Sequence, residues 1–322
     1  MKAIVQNEYG DSSVLRLDEV PVPTLKNDDV LVEVRATSLH IGDWHLMAGL
    51  PLLVRPAIGL KRPRQRVRGM DVAGIVHSVG PAVTAFAVGD EVFGVVEAGL
   101  AQYAVASVDK IVRKPAGLTF EQAAAIPTSA ATALHAVRDV GRIQSGQEVL
   151  VIGAAGGVGI YATQLAKAFG GRVTGVCSTA KLDLVRSLGA QAVVDYTKSD
   201  VTILGKRYDL IIDTAGNRSV ASLRRILTST GTLVIVGGEG GGRLAGTLSR
   251  QLVAPLRGVG SKQSFRGLVS VTKAADLVTL SELVEAGQLA PVIDEVYPLA
   301  QASAAMQRLE RSAVVGKLVI AG

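Results

Sequence analysis

The sequence predicts an α/β protein of two domains: a doubly wound parallel sheet in the second half, and a β-rich domain at the start that the chain's end rejoins. Three observations carry this. From residue 148 onward, near-continuous apolar strand runs alternate with helical segments, the pattern of a parallel sheet covered on both faces. A knot of small residues, GAAGGVG at 153–159, stands where the first of those strands hands over to a helix. Before residue 108 the chain holds only short β-type runs separated by turn residues.

Composition sets the outer bounds. The 322 residues exceed one ordinary core and suit two domains. Apolar residues make up 48% and charged residues 19%, which is globular rather than disordered usage. The single cysteine, Cys177, excludes an internal disulfide and any zinc site built from several cysteines. The start, MKAIVQNEYG, has no apolar run of signal-peptide length, and no stretch reaches the roughly 18 apolar residues of a membrane span. The expectation is a soluble, cytoplasmic protein. The net charge is +6. Part of the excess sits at 54–69, where Arg55, Lys61, Arg62, Arg64, Arg66 and Arg68 occur without an acid. A solvated loop is the plain reading; an anionic substrate or a membrane surface are sharper ones. Nucleic acid is disfavoured because no aromatic residue is interleaved for stacking.

In chain order, the β-type runs are 3–6, 29–39, 72–80, 90–96 and 102–107, with turns at 21–28 and 79–90. Helical spacing begins at Phe120 and is broken at Pro127. Then come a strand at 148–153, a helix near 157–169, a strand at 172–177, a helix at 181–189 and a strand at 192–196. A strand at 208–216, a helix at 219–228 and a strand at 232–238 follow, and GGEGGGR at 237–243 reads as a loop. SRQLVAP and 273–287 read as helical, and 292–299, 301–312 and 316–322 as strand, helix and strand. The expected domains are 1–121, 122–262 and 263–322, the last returning to the first.

The glycine knot has a physical reason. A missing side chain at Gly156 lets a diphosphate approach the backbone. One at Gly159 lets the following helix press onto the strand, whose N–H groups and positive end then face the phosphates. Gly153, Ala155, Gly157 and Val158 complete the loop. Following a strand, opening a helix and heading a βαβ series, this is the context that makes such a motif a dinucleotide site of a Rossmann domain. An NAD site usually has an acid about 20 residues on, for the ribose 2′-hydroxyl. Here Ser178, Thr179 and Lys181 stand there instead, a set of donors and charge that favours the 2′-phosphate of NADPH.

The β-rich start, SLHIGDWHLMAG (38–49), RGMDVAGIVHSVG (68–80), VGDEVFG (88–94), EQAAAIPTSAATAL (121–134) and the glycine knot together resemble the medium-chain dehydrogenase/reductase superfamily, over essentially the whole chain and in order. The similarity is to its zinc-independent quinone oxidoreductase branch. It implies a discontinuous GroES-like catalytic domain beside the Rossmann domain, NADPH in a cleft between them, and a homodimer. The zinc-dependent members carry a cysteine three residues before an aspartate in the first of these segments, where this chain has His40 before Asp43. They carry Gly-His-Glu in the second, where it has Gly69, Met70 and Asp71. Methionine is a poor zinc ligand, so no metal is expected. Without a Lewis acid, the better hydride acceptor is one that already delocalises electrons: a quinone or an α,β-unsaturated carbonyl.

By the same resemblance, Asp43 and His40 are the candidate catalytic residues, with His40 a possible proton donor or hydrogen-bond partner of the substrate carbonyl. Each has a plain alternative, His40 as a satisfied histidine at a strand end. Trp44 and Met47 either wall an aromatic pocket or pack in the core. Thr128 and Thr132 lie where family members meet nicotinamide and phosphates, and Tyr196 is placed near the adenosine. Ala215, within DTAGN (213–217), and Val236, Gly237 and Gly238 end parallel strands, where ligands gather in open α/β sheets. Two other functions stay open on the same fold: a non-catalytic NADPH sensor and an NADP-dependent alcohol dehydrogenase.

Overall fold

The computed structural model describes residues 1–237, 242–246, 250–251 and 260–322. The chain forms two compact units. The first comprises Met1–Ala131, Val271–Gly287 and Pro291–Gly322; the second comprises Thr132–Ser270 and Gln288–Ala290.

The first unit is β-rich because its runs are short, alternate in burial and are punctuated by turns. Strands β1 (Lys2–Val5) and β2 (Arg16–Glu19) form an antiparallel pair. The exposed RLDE of β2 has no apolar alternation, so sequence pattern alone passes it over. Strands β3 (Asp29–Leu39), β4 (Asp71–Val79), β5 (Glu91–Val95) and β7 (Ile111–Arg113) follow one another antiparallel in the main sheet, and β6 (Tyr103–Ser107) adds to β3. Helix α1 (Ile41–Ala48) leaves β3. The stretch expected as loop at 54–69 begins with the one-turn helix α2 (Arg55–Ile58). Helices α3 (Phe120–Ala124) and α4 (Pro127–Leu134) are separated near Pro127, whose ring cannot continue a helix from the preceding turn.

The second unit is a six-stranded sheet of β8 (Glu148–Ile152), β9 (Arg172–Cys177), β10 (Ala192–Asp195), β11 (Tyr208–Asp213), β12 (Leu227–Ile235) and β13 (Ser264–Gly267). Every pairing is parallel, in the order β10-β9-β8-β11-β12-β13. That is the order of a dinucleotide-binding doubly wound sheet, with its reversal between β8 and β11. Helices α5 (Gly159–Ala168), α6 (Leu182–Ser187) and α7 (Val220–Arg225) make the crossovers, and the core runs through Leu150, Ile152, Ile211, Leu233 and Phe265.

The chain then returns. Strand β14 (Ile293–Pro298) pairs with β15 (Lys317–Ala321), and β15 runs antiparallel to β3, Leu318 opposite Leu39 and Ala321 opposite Ala36. The first unit is therefore discontinuous. Its core joins Ile4, Leu39, Met47 and Leu100 to Met306, Leu318 and Ile320 from the far end of the chain. The divisions fall after Ala131 and Ser270 instead of the expected 121 and 262. The start of α4 is held by first-unit side chains, and β13 is a strand of the parallel sheet, so each boundary lies further on.

Candidate active site

At the reversal point of the parallel sheet, β8 ends on Ile152 and the chain turns through Gly153, whose φ of +82° suits glycine. The two motif glycines differ in what they spare. A Cβ on Gly159 would lie 2.0 Å from the Gly153 carbonyl oxygen, so the loop itself forbids a side chain there. A Cβ on Gly156 would meet only that same oxygen, at 3.4 Å, an ordinary contact. Nothing within the described residues needs Gly156 bare. Helix α5 opens behind the loop with no side-chain cap at Val158, and the Ile160 N–H donates to the Gly156 carbonyl at 3.0 Å. The loop's Ala155 is buried and Gly157 half-buried. This cradle fits a dinucleotide.

The neighbouring strand ends join it. Asp213 stands opposite Ile152, and the Thr214 hydroxyl donates to the Ile152 carbonyl at 2.8 Å. Ala215 packs half-buried on the core of this unit. The Val236 N–H donates to the Asp213 carbonyl at 3.0 Å and that of Gly237 at 3.4 Å, which sets both at the same sheet edge. Gly238 lies outside the described residues. The buried Asp213 carboxylate holds the following turn, accepting from Gly216 N–H at 2.9 Å and from Arg250 Nη2 at 2.8 Å. Arg250 carries no motif signal and is legible only in the fold.

The edge expected to meet the 2′-phosphate needs a correction. No carboxylate follows β9 in sequence, but the parallel pairing of β10 sets Asp195 opposite Cys177. The Thr179 hydroxyl donates to Asp195 Oδ2 at 2.5 Å, and this bond, with those from Thr197, holds the carboxyl below the usual aspartate range. Thr179 is thus committed to a neighbour that repels phosphate. Ser178 and Lys181 are half-buried, and Lys198 stands 3.9 Å from Asp195. Tyr196, one residue past β10, is half exposed, as a residue placed against an adenine ring would be. Thr132 opens the second unit and is half-buried.

In the first unit, the residues singled out as catalytic form a buried polar network. His40 caps α1: its Nδ1 accepts from Gly42 N–H at 3.0 Å, while the His40 N–H donates to Asp43 Oδ2 at 3.0 Å. With Nδ1 an acceptor, the imidazole proton of the neutral ring sits on Nε2, which lies buried, without a hydrogen-bond partner, 3.4 Å from Asp43 Oδ2. Asp43 is fully buried, and burial raises its carboxyl pKa against the opposing pull of His40.

Asp71, on β4, does the most. Its Oδ1 accepts from both the N–H (3.1 Å) and the hydroxyl (2.5 Å) of Thr128, and its Oδ2 accepts from the Ser38 hydroxyl at 3.2 Å. Ile126, ahead of α4, has no side chain able to cap that helix, and a carboxylate 57 residues away in sequence takes the part. Lys317, at the head of β15, is 1% exposed; its ammonium stands 3.8 Å from Asp71 Oδ2 and donates to the Ser129 hydroxyl at 2.9 Å. Burial lowers its pKa while the two carboxylates oppose the shift. Arg68 is also buried, with Nε and Nη2 unpartnered. Sequence reading did not single out Lys317, Ser38 or Ser129, and it placed Arg68 only in the cationic stretch at 54–69. The one signal was a lone lysine opening the apolar strand GKLVIAG. Met47 is fully buried in the core, and Trp44 packs against it while donating to Glu310 at 3.0 Å, so both serve packing.

A divalent metal fits this network poorly. Among the described residues, no three His, Cys, Asp or Glu side chains gather as ligands. Asp71, which follows the methionine, has both oxygens engaged by three donors and a buried ammonium, and a second cation there would have to displace Lys317.

The comparisons agree with this architecture. Residues 26–116 match the alcohol dehydrogenase GroES-like domain and residues 188–320 the zinc-binding dehydrogenase family. The chloroplast envelope quinone oxidoreductase homolog of Arabidopsis thaliana is 32% identical, over 99% of this chain and 98% of its own. An NADPH-dependent alkenal/one oxidoreductase of the same plant is 33% identical, over 99% of this chain and 79% of its own. The solved quinone oxidoreductase of Coxiella burnetii superposes with a TM-score of 0.86 at 29% identity, covering 100% of this chain and 99% of that one. With its paired GroES-like and Rossmann units in the same order along the chain, this protein is a member of the medium-chain dehydrogenase/reductase superfamily, in the quinone oxidoreductase-like group of oxidoreductases.

Proposed function

We propose that this protein is an NADPH-dependent reductase that passes hydride to a quinone or an α,β-unsaturated carbonyl without a catalytic metal. The observation that carries the reading is the presence in one chain of an open glycine cradle at Gly156 and a polar network whose cation is Lys317. Such a network offers no Lewis acid to an alcohol, whereas a conjugated acceptor delocalises the incoming electron pair itself. The names of the relatives, quinone oxidoreductase and NADPH-dependent alkenal/one oxidoreductase, support the same acceptor classes.

The dinucleotide, when bound, supplies the hydride. The residues of this chain bind and orient it. Gly156 admits the diphosphate, α5 turns the positive end of its dipole to it, and Lys181 supplies positive charge for a 2′-phosphate, against the opposing charge of Asp195. Thr128 spends its hydroxyl proton on Asp71, so toward a ligand its oxygen can only accept. His40 holds an exchangeable proton at Nε2 next to Asp43, the group we assign to protonating the enolate or hydroquinone anion.

The test is anaerobic oxidation of NADPH and of NADH with a quinone panel and an enone panel, with and without a strong chelator. Turnover that prefers NADPH and ignores the chelator is expected. Absence of turnover on every acceptor, or its abolition by chelation, would overturn the reading.

A further inference from the structure

The chain between α1 and β4 carries the cationic stretch noted at 54–69, and the fold gives it a defined shape. The Tyr9 hydroxyl donates to the Gly59 carbonyl at 2.7 Å, and the Arg55 guanidinium lies 4.5 Å from the centre of the Tyr9 ring while its Nε donates to Gly49 O at 3.0 Å. Backbone bonds from Gly59 N to Arg55 O (2.8 Å), Arg64 N to Ile58 O (2.9 Å) and Gln6 N to Arg66 O (2.9 Å) pin the loop along its length. Gly59, with φ +123°, makes the turn that other residues resist, because a Cβ there would lie 2.0 Å from Arg62 O. Val67 bridges to Val5, and Pro63 is buried.

The pinned loop borders an open hollow of about 710 Å³ lined by Lys61, Arg62, Arg64 and Arg66, with Asn7 and Leu60 among the rest of its wall. No acid lines it. Arg66 Nε is steadied by Asn7 Oδ1 at 2.9 Å and Arg64 Nη1 by the Ala57 carbonyl at 3.1 Å, so two guanidinium groups are held by one edge only. Cations on a solvated convex face diverge. Here four exposed cations line one concavity, where an anion would offset their mutual repulsion. The volume is that of a small-molecule site.

We propose that this hollow binds a phosphate ester of about nucleoside-diphosphate size, its phosphates held by the forks of Arg62, Arg64 and Arg66 and by Lys61. Guanidinium groups match phosphate oxygens two at a time, which a lysine-only patch does not. The apolar wall at Leu60 and Pro63 accommodates the organic part. Phosphate recognition here uses side-chain charge, unlike the backbone cradle of the second unit, and it does not depend on the reductase reading. The phosphate can come from a free metabolite or from a lipid headgroup.

The experiment titrates the full-length protein calorimetrically with inorganic pyrophosphate and with ADP at about 0.15 M salt. Sedimentation with phosphatidylglycerol and phosphatidylcholine vesicles forms a parallel arm. The protein is used as wild type, as Arg62→Gln/Arg64→Gln, as Lys61→Gln/Arg62→Gln, which leaves the Arg64 contact to Ala57 intact, and as Gly156→Val, which fills the other cradle. We expect Gly156→Val to retain saturable binding of one pyrophosphate or ADP per chain, and each charge variant to lose a site of that affinity, weakened about ten-fold or more. Binding to phosphatidylglycerol but not phosphatidylcholine vesicles, lost in the charge variants, would support the same site with a lipid source. Three outcomes overturn the proposal: no saturable binding in either arm, binding unchanged in the charge variants, or binding lost only in Gly156→Val.

Discussion

Asp71 occupies a position that sequence comparison notes only for what it is not, a glutamate after a histidine. In the fold it caps α4 through Thr128, accepts from Ser38 and is neutralised by Lys317. The Ser38 partner lies 33 residues from Asp71 in the sequence, and Lys317 stands on the last strand of the chain. None of this is legible in the chain, because no local spacing relates β3, β4, α4 and β15. The network makes a measurable demand on stability. Removing one member of a buried ion pair leaves a charge without compensation and costs about 3–5 kcal/mol. Lys317→Met should therefore destabilise the protein by about that amount in denaturant unfolding, and adding Asp71→Asn should recover part of the loss, since the stranded carboxylate is then gone. A double variant no more stable than Lys317→Met alone would deny the coupling.

At the scale of one element, the glycine loop separates packing from binding. Gly159 is bare because the loop's own carbonyl fills the space, and Gly156 is bare although the protein leaves room for a Cβ. Gly159→Ala should cost about 1–3 kcal/mol of stability through overpacking. Gly156→Val should melt within about 1 kcal/mol of wild type while losing dinucleotide affinity ten-fold or more, read by thermal melting and by quenching of tryptophan fluorescence on titration with NADPH. If the two variants exchange these phenotypes, the division of labour assigned to the two glycines is wrong. The loop itself was readable from sequence, since strand, small residues and helix are contiguous. Its rim was not. Thr179 and Lys181 follow β9 in order, but Asp195 reaches Thr179 only through the lateral pairing of β10 with β9, and it alters the charge that a 2′-phosphate would meet.

For the whole molecule, the closing strand matters out of proportion to its length. Strand β15 lies between β14 and β3, contributes Leu318 and Ile320 to a core shared with Ile4 and Met47, and carries Lys317. Deleting residues 316–322 should unfold the first unit and leave the parallel sheet intact. Hydrogen exchange checks this: amides of β3 and β4 should lose protection while those of β8, β9 and β11 keep it. Retained protection in β3 would show that the unit closes without its last strand.

Local order determined a good deal of this protein. Apolar strand runs alternating with helices specify a covered parallel sheet, and a strand entering glycines before a helix specifies the cradle, because both depend on neighbours a few residues apart. The strand-like end of the chain already pointed back toward the first domain. The tertiary structure alone decided that Lys317 stands as the buried cation beside Asp71, that Asp195 faces Thr179, and that four cations of one loop line a hollow. Each of these is an electrostatic relation between side chains, set by distances of a few ångströms; the first two exist only once strands distant in sequence are paired, and the third only once the loop is pinned against residues 6–9.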